Sequence, residues 1–98
     1  MKRLIMKIFN EIKLAQELIR FPTVKTEDKG IMKFLSRKLS LIGFRCKIIK
    51  SKGSGTKPAL NLFAKYGNSK RHINFLGHTD VVANLNNWKI QPFKGVVR

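Results

Sequence analysis

Leu39-Ser40-Leu41-Ile42-Gly43-Phe44-Arg45-Cys46-Lys47-Ile48-Ile49 changes its hydrophobic period at Gly43, and that change decides the fold class. Upstream, Ile31, Phe34 or Leu35, Leu39 and Ile42 recur three and four residues apart, the spacing of one helix face. Lys33, Arg37 and Lys38 fall largely outside that stripe. Downstream, Phe44, Cys46 and Ile48 alternate with Arg45 and Lys47, as in a strand over residues 44–49 with one covered face. Gly43 stands where a helix closing in a left-handed cap favours a residue without a Cβ.

Working outward toward the N-terminus, the second helix is expected to start near Thr26. Thr26 can cap it, and Glu27 and Asp28 suit the positive end of its dipole. Phe21-Pro22-Thr23-Val24-Lys25 reads as a loop, because the residue before a proline is pushed out of helical geometry. A first amphipathic helix is expected from Lys7 to Ile19 on the stripe Ile8, Ile12, Ala15, Leu18 and Ile19. Toward the C-terminus, Ser51 to Pro58 reads as a flexible connection. Its spacing does not match a phosphate-cradling loop, and no helix follows it. Ala59 to Tyr66 reads as a second strand, Gly67 to Lys70 as a turn, and His72 to Leu76 as a third strand with Ile73 and Phe75 on one face. A polar loop with Trp88 and Pro92 closes the chain. Two helices followed by three strands make an α/β layer structure, and an incomplete one, since nothing follows the third strand to cover its other side.

The length of 98 residues fits one small domain or part of a larger one. An apolar fraction of 43% excludes disorder as a whole-chain reading. No stretch is long and apolar enough to span a membrane. The basic N-terminus lacks an unbroken apolar region and a small-residue cleavage site, so a cytoplasmic location is expected. A single cysteine, Cys46, agrees with a reducing compartment and reads as a small strand residue. The net charge of +16 is the kind that nucleic-acid or anionic-surface binders carry. Here the lysines are scattered, and aromatic residues do not interleave with them as in a base-stacking platform, which argues against that role.

The chemistry concentrates in Phe75-Leu76-Gly77-His78-Thr79-Asp80-Val81-Val82. Side chains two apart on a strand end project from one face, so Asp80 can hold one ring nitrogen of His78 and leave the other for a cation. Ile73, Phe75, Val81 and Val82 are expected to wall that site with apolar groups. His72 lies too far along the strand to share an ion with His78 and reads as a surface residue. Glu11, Glu17 and Glu27 read as solvated helix residues, and no Ser–His–Asp or Cys–His arrangement can be assembled. A catalytic zinc commonly takes three protein ligands, and the chain offers one credible ligand with one orienting group.

These residues resemble a known family. Gly77-His78-Thr79-Asp80-Val81-Val82 is similar to the most specific motif of the succinyl-diaminopimelate desuccinylases, within the zinc-dependent deacylases and aminopeptidases. Leu18 to Val24, Leu41-Ile42-Gly43-Phe44, Asn61-Leu62-Phe63-Ala64, and Trp88 with Pro92-Phe93 resemble the family at the expected intervals. The resemblance implies that residues 1–98 are the N-terminal part of a zinc-dependent catalytic domain, with its remainder and a dimerisation domain lying elsewhere. It implies His78 as a zinc ligand and Asp80 as the catalytic residue that sets the basicity of the imidazole. It further implies two zinc ions, replaceable by cobalt, a homodimer in the complete enzyme, and hydrolysis of a succinyl amide to succinate and diaminopimelate. Ala83 replaces the family's usual proline, and the bridging aspartate and base glutamate have no counterpart here. The chain by itself is therefore expected to be inactive and to bind zinc weakly. Acetylornithine deacetylase or another deacylase of the group, a small basic binding protein and a non-functional remnant stay open as alternatives.

Overall fold

The computed structural model describes residues 10–52, 57–83 and 86–98. Two helices, α1 (Glu11–Ile19) and α2 (Ile31–Leu41), precede two strands, β1 (Arg45–Ser51) and β2 (Ala59–Lys65). The strands form an antiparallel hairpin in which Cys46 faces Ala64, Ile48 faces Leu62 and Lys50 faces Leu60. Helix α2 lies against both strands. The strand period decides which face it covers: Cys46, Leu62 and Ala64 are half-buried, whereas Lys47, Asn61 and Phe63 point to solvent. The α/β character expected from the sequence is present.

The junction at Gly43 folds as its sequence implies. Gly43 has φ +96°, its N–H donates to the Ser40 carbonyl (3.1 Å), and the Phe44 N–H donates to the Leu39 carbonyl (3.1 Å). This is a Schellman closure, which satisfies two carbonyls that the helix end would leave unpaired. The ring of Phe44 then meets Tyr66 at 5.2 Å, tying the start of β1 to the residue after β2. The expected stripe of α2 also holds, with Ile31 buried and Phe34, Leu35, Leu39 and Ile42 half-buried.

The helix starts differ from expectation. Helix α2 begins at Ile31 rather than near Thr26, because Lys25 (φ 60°), Lys29 (φ 54°) and Gly30 (φ 94°) adopt left-handed backbone that no helix can continue through. The N-cap is Gly30, which has no side chain to cap with, and Asp28 two residues before it takes the part expected of Thr26: its carboxylate accepts from the N–H groups of Gly30 (2.8 Å) and Met32 (3.2 Å). Helix α1 is capped by Asn10, whose side chain accepts from the Lys13 N–H at 3.0 Å. The expected residues 7–9 and the Gly53–Thr56 part of the connection lie outside the described residues. Of the expected α1 stripe, Leu18 is half-buried but Ile12, Ala15 and Ile19 are exposed. The helix is held by other contacts. Glu17 meets Lys38 of α2 at 3.9 Å, worth at most about 1 kcal/mol at this exposure. Gln16 donates through Nε2 to the Gly95 carbonyl at 2.7 Å. Gly95 is buried at φ +67°, and a Cβ there would sit 2.9 Å from the Gln16 carbonyl oxygen, so only glycine lets the C-terminal segment approach.

The expected third strand does not form. Residues His72 to Leu76 carry no regular structure, and Ile73, Phe75 and Leu76 are exposed, Phe75 to 94%. The described sheet holds only β1 and β2, and residues 72–76 pair with neither, so their N–H and C=O groups are left outside any ladder. Salt should therefore drive association of the chain, by screening the +16 charge that keeps copies apart while leaving apolar attraction intact. Sedimentation velocity is expected to show self-association rising with salt, and a Phe75→Ser, Leu76→Ser double variant staying monomeric. Equal association of both chains would remove this segment from the account.

Candidate functional site

Two loops meet to build the site. In the first, Pro22 interrupts the chain after α1, and two tight turns follow: the Thr23 N–H donates to the Phe21 carbonyl and the Val24 N–H to the Pro22 carbonyl, both at 2.8 Å. The turns carry Val24 into a parallel bridge with Val81. The Val81 N–H donates to the Thr23 carbonyl at 3.0 Å, and the Lys25 N–H donates to the Val81 carbonyl at 2.9 Å. Thr23 is 3% exposed, and its hydroxyl donates to the Thr79 carbonyl at 2.6 Å.

His78 and Asp80 flank that last contact. The Nδ1 atom of His78 lies 3.2 Å from Oδ1 of Asp80 and 3.2 Å from its backbone carbonyl. With the proton on Nδ1, the ring donates to this carboxylate and carbonyl, and Nε2 keeps a free lone pair. The expected grip of Asp80 on the ring is therefore present in the geometry. The expected apolar cavity is not. The His78 side chain is 85% exposed, and Ile73, Phe75, Val81 and Val82 are themselves exposed rather than walling it. The cause is that of the missing third strand: residues before Gly77 have no layer to pack against.

The other candidates stay apart. His72 is exposed. Cys46 is half-buried opposite Ala64 in the hairpin. Glu27 pairs with Lys29 at 2.9 Å, and the hydrogen bond from Lys29, then its charge, holds the Glu27 carboxyl below the usual range. A shallow groove of about 400 Å³ lies beside Glu27, Asp28, Lys50 and Lys57, and contains neither His78 nor Asp80. Among the described residues, no group of three or more His, Cys, Asp or Glu side chains could enclose a metal ion. One imidazole, oriented by a carboxylate on its far nitrogen, fits a single corner of a zinc coordination shell. The residue missed in the sequence was Thr23. Its loop was legible from Pro22, but nothing local says that its hydroxyl reaches a carbonyl on the segment that holds His78.

No helix of the described residues is long and apolar enough to cross a membrane. No family model matches the chain. Among curated proteins, it is 47% identical over 95 residues to a succinyl-diaminopimelate desuccinylase of Pelagibacter ubique, covering 95% of this chain and 25% of that protein. It is 39% identical over 93 residues to the protein of the same name from Anaplasma marginale, covering 95% of this chain and 24% of that protein. The corresponding protein of Ehrlichia canis is 42% identical over 88 residues, covering 88% of this chain and 23% of the relative. The chain thus spans about a quarter of the length of the relatives it matches. Over that quarter, the chain is similar to proteins named succinyl-diaminopimelate desuccinylase.

Proposed function

We propose that this chain supplies the first part of the catalytic domain of a zinc-dependent hydrolase that cleaves the succinyl amide of N-succinyl-LL-2,6-diaminopimelate. The observation that carries the reading is the His78–Asp80 pair, with Nδ1 engaged and Nε2 free, inside a chain similar to desuccinylases over 95 residues. His78 would hold the zinc through Nε2. Asp80 would fix the ring and raise its basicity as a ligand. Zinc, when bound, lowers the pKa of water and stabilises negative charge on the amide oxygen. The remaining ligands, the general base and the dimer contacts belong to the other three quarters of a complete enzyme. That remainder would also cover Ile73, Phe75 and Leu76, giving residues 72–76 the sheet neighbours they lack. Residues 1–98 alone are expected to turn over no succinyl-diaminopimelate and to hold zinc weakly.

A chimaera tests the reading. This chain would replace the matching quarter of the Pelagibacter ubique relative. Retained zinc-dependent release of succinate from succinyl-diaminopimelate is the expected result. A folded, zinc-loaded chimaera that leaves this substrate intact but hydrolyses another acyl amide, such as acetylornithine, would redirect the substrate assignment. One inert toward every such amide would end the hydrolase reading.

A further inference from the structure

We propose that Thr23 is a positioning residue that sets the His78–Asp80 pair from across the fold. Three hydrogen bonds join its loop to residues 79–81, two through Thr23 itself and the third through Lys25, two residues on. The Thr23 hydroxyl donates to the Thr79 carbonyl, between His78 and Asp80. The Thr23 carbonyl accepts from the Val81 N–H, and the Lys25 N–H donates to the Val81 carbonyl. Asp80 is therefore pinned on both sides, and His78 adjoins the pinned carbonyl. No helix or strand flanks His78 among the described residues, and the segment before it has no ladder. The clamp supplies the rigidity that a sheet would otherwise give. At 3% exposure, Thr23 is the buried polar side chain of the described structure, and burial makes its short hydrogen bond costly to remove. Valine fits the same volume without a donor and would leave the Thr79 carbonyl unpaired. The importance of this clamp for catalysis rests on the zinc reading, but the clamp itself does not.

The test uses the 98-residue chain, isotopically labelled, at a pH above the imidazole range. For Thr23→Val we expect the Val81 amide to exchange about tenfold faster. The His78 ring nitrogens should move toward the tautomer average of free histidine, while the cross-strand amides of the hairpin keep their protection. Thr23→Ser should restore both altered signals. A purely structural role would loosen the hairpin along with Val81 and would leave the imidazole tautomer no special response. Unchanged His78 ring shifts in Thr23→Val, or no rescue by serine, would overturn the proposal. A wild-type measurement stands independent of folding in the variants: a Thr23 hydroxyl proton in fast exchange with water would also overturn it. Zinc chloride titration separates the two readings. If zinc leaves the His78 Hε1 resonance of the wild-type chain unmoved, the ligand role of His78 fails while the clamp stands. If zinc shifts it but Thr23→Val alters nothing, the clamp fails and the ligand role stands.

Discussion

Replacing His78 by alanine in the desuccinylase chimaera is expected to lower kcat/KM about a thousandfold, a loss of roughly 4 kcal/mol in transition-state stabilisation. A ligand does two things at once in such a site. It holds the ion, and it keeps the ion where charge develops on the amide oxygen. Alanine removes both, and the geometry provides no substitute: His72 is exposed, and no cluster of three or more metal-binding side chains exists among the described residues. Asp80→Asn should cost less, about 10- to 100-fold. The amide can still approach Nδ1, but it loses the negative charge that makes the imidazole a better donor to a cation, and the Asp80 backbone carbonyl remains as a second partner for Nδ1. The order of the two effects is the diagnostic. A His78→Ala chimaera within tenfold of its parent would remove this histidine from the zinc site. Asp80→Asn exceeding His78→Ala would make the carboxylate, rather than the imidazole, the principal group.

How much of this could be read along the chain follows from how local each determinant is. The α2–β1 junction was legible because helix stripe, Gly43 and strand alternation are neighbours in sequence, and the Schellman closure uses only Leu39 to Phe44. The His78–Asp80 contact was legible for the same reason, being two residues long. Residues 72–76 alternate like a strand, yet form none, because alternation specifies which face a strand would bury and not whether a neighbour exists to pair with it. The capping error has a related cause. Thr26 and Asp28 are both competent caps, and the left-handed turns at Lys25 and Lys29 decide between them. The Thr23–Thr79 bond joins residues 56 apart, and no periodicity or motif reports such a contact. The apolar walls expected around His78 failed because they presuppose a covering layer, which a hydrophobic side chain can invite but not supply.

Ile31→Ala is expected to have the largest effect on stability. Ile31 is the buried apolar side chain of the described residues, at 3% exposure, and large-to-small changes at such sites cost about 2–5 kcal/mol. A domain with this little covered apolar surface has only about 5 kcal/mol or somewhat more in reserve. The variant should lose most of its cooperative urea transition, whereas Ile31→Val, at about 0.5–1.5 kcal/mol, should keep one with an earlier midpoint. The consequence reaches the site through the start of α2. Phe34, one turn along, meets the Phe21 ring at 5.2 Å, and Phe21 begins the loop that carries Thr23. Exchange at Val81 and at the hairpin amides should therefore rise together in Ile31→Ala, in contrast to Thr23→Val, where Val81 alone responds. That contrast orders the structure: the α2–hairpin layer holds the Phe21–Lys25 loop, and the loop holds the motif. Were Ile31→Ala to free the hairpin while Val81 stayed protected, the loop and motif would form a unit independent of the core, and the support of the site would have to be sought in the packing of α1 and the C-terminal segment at Gly95.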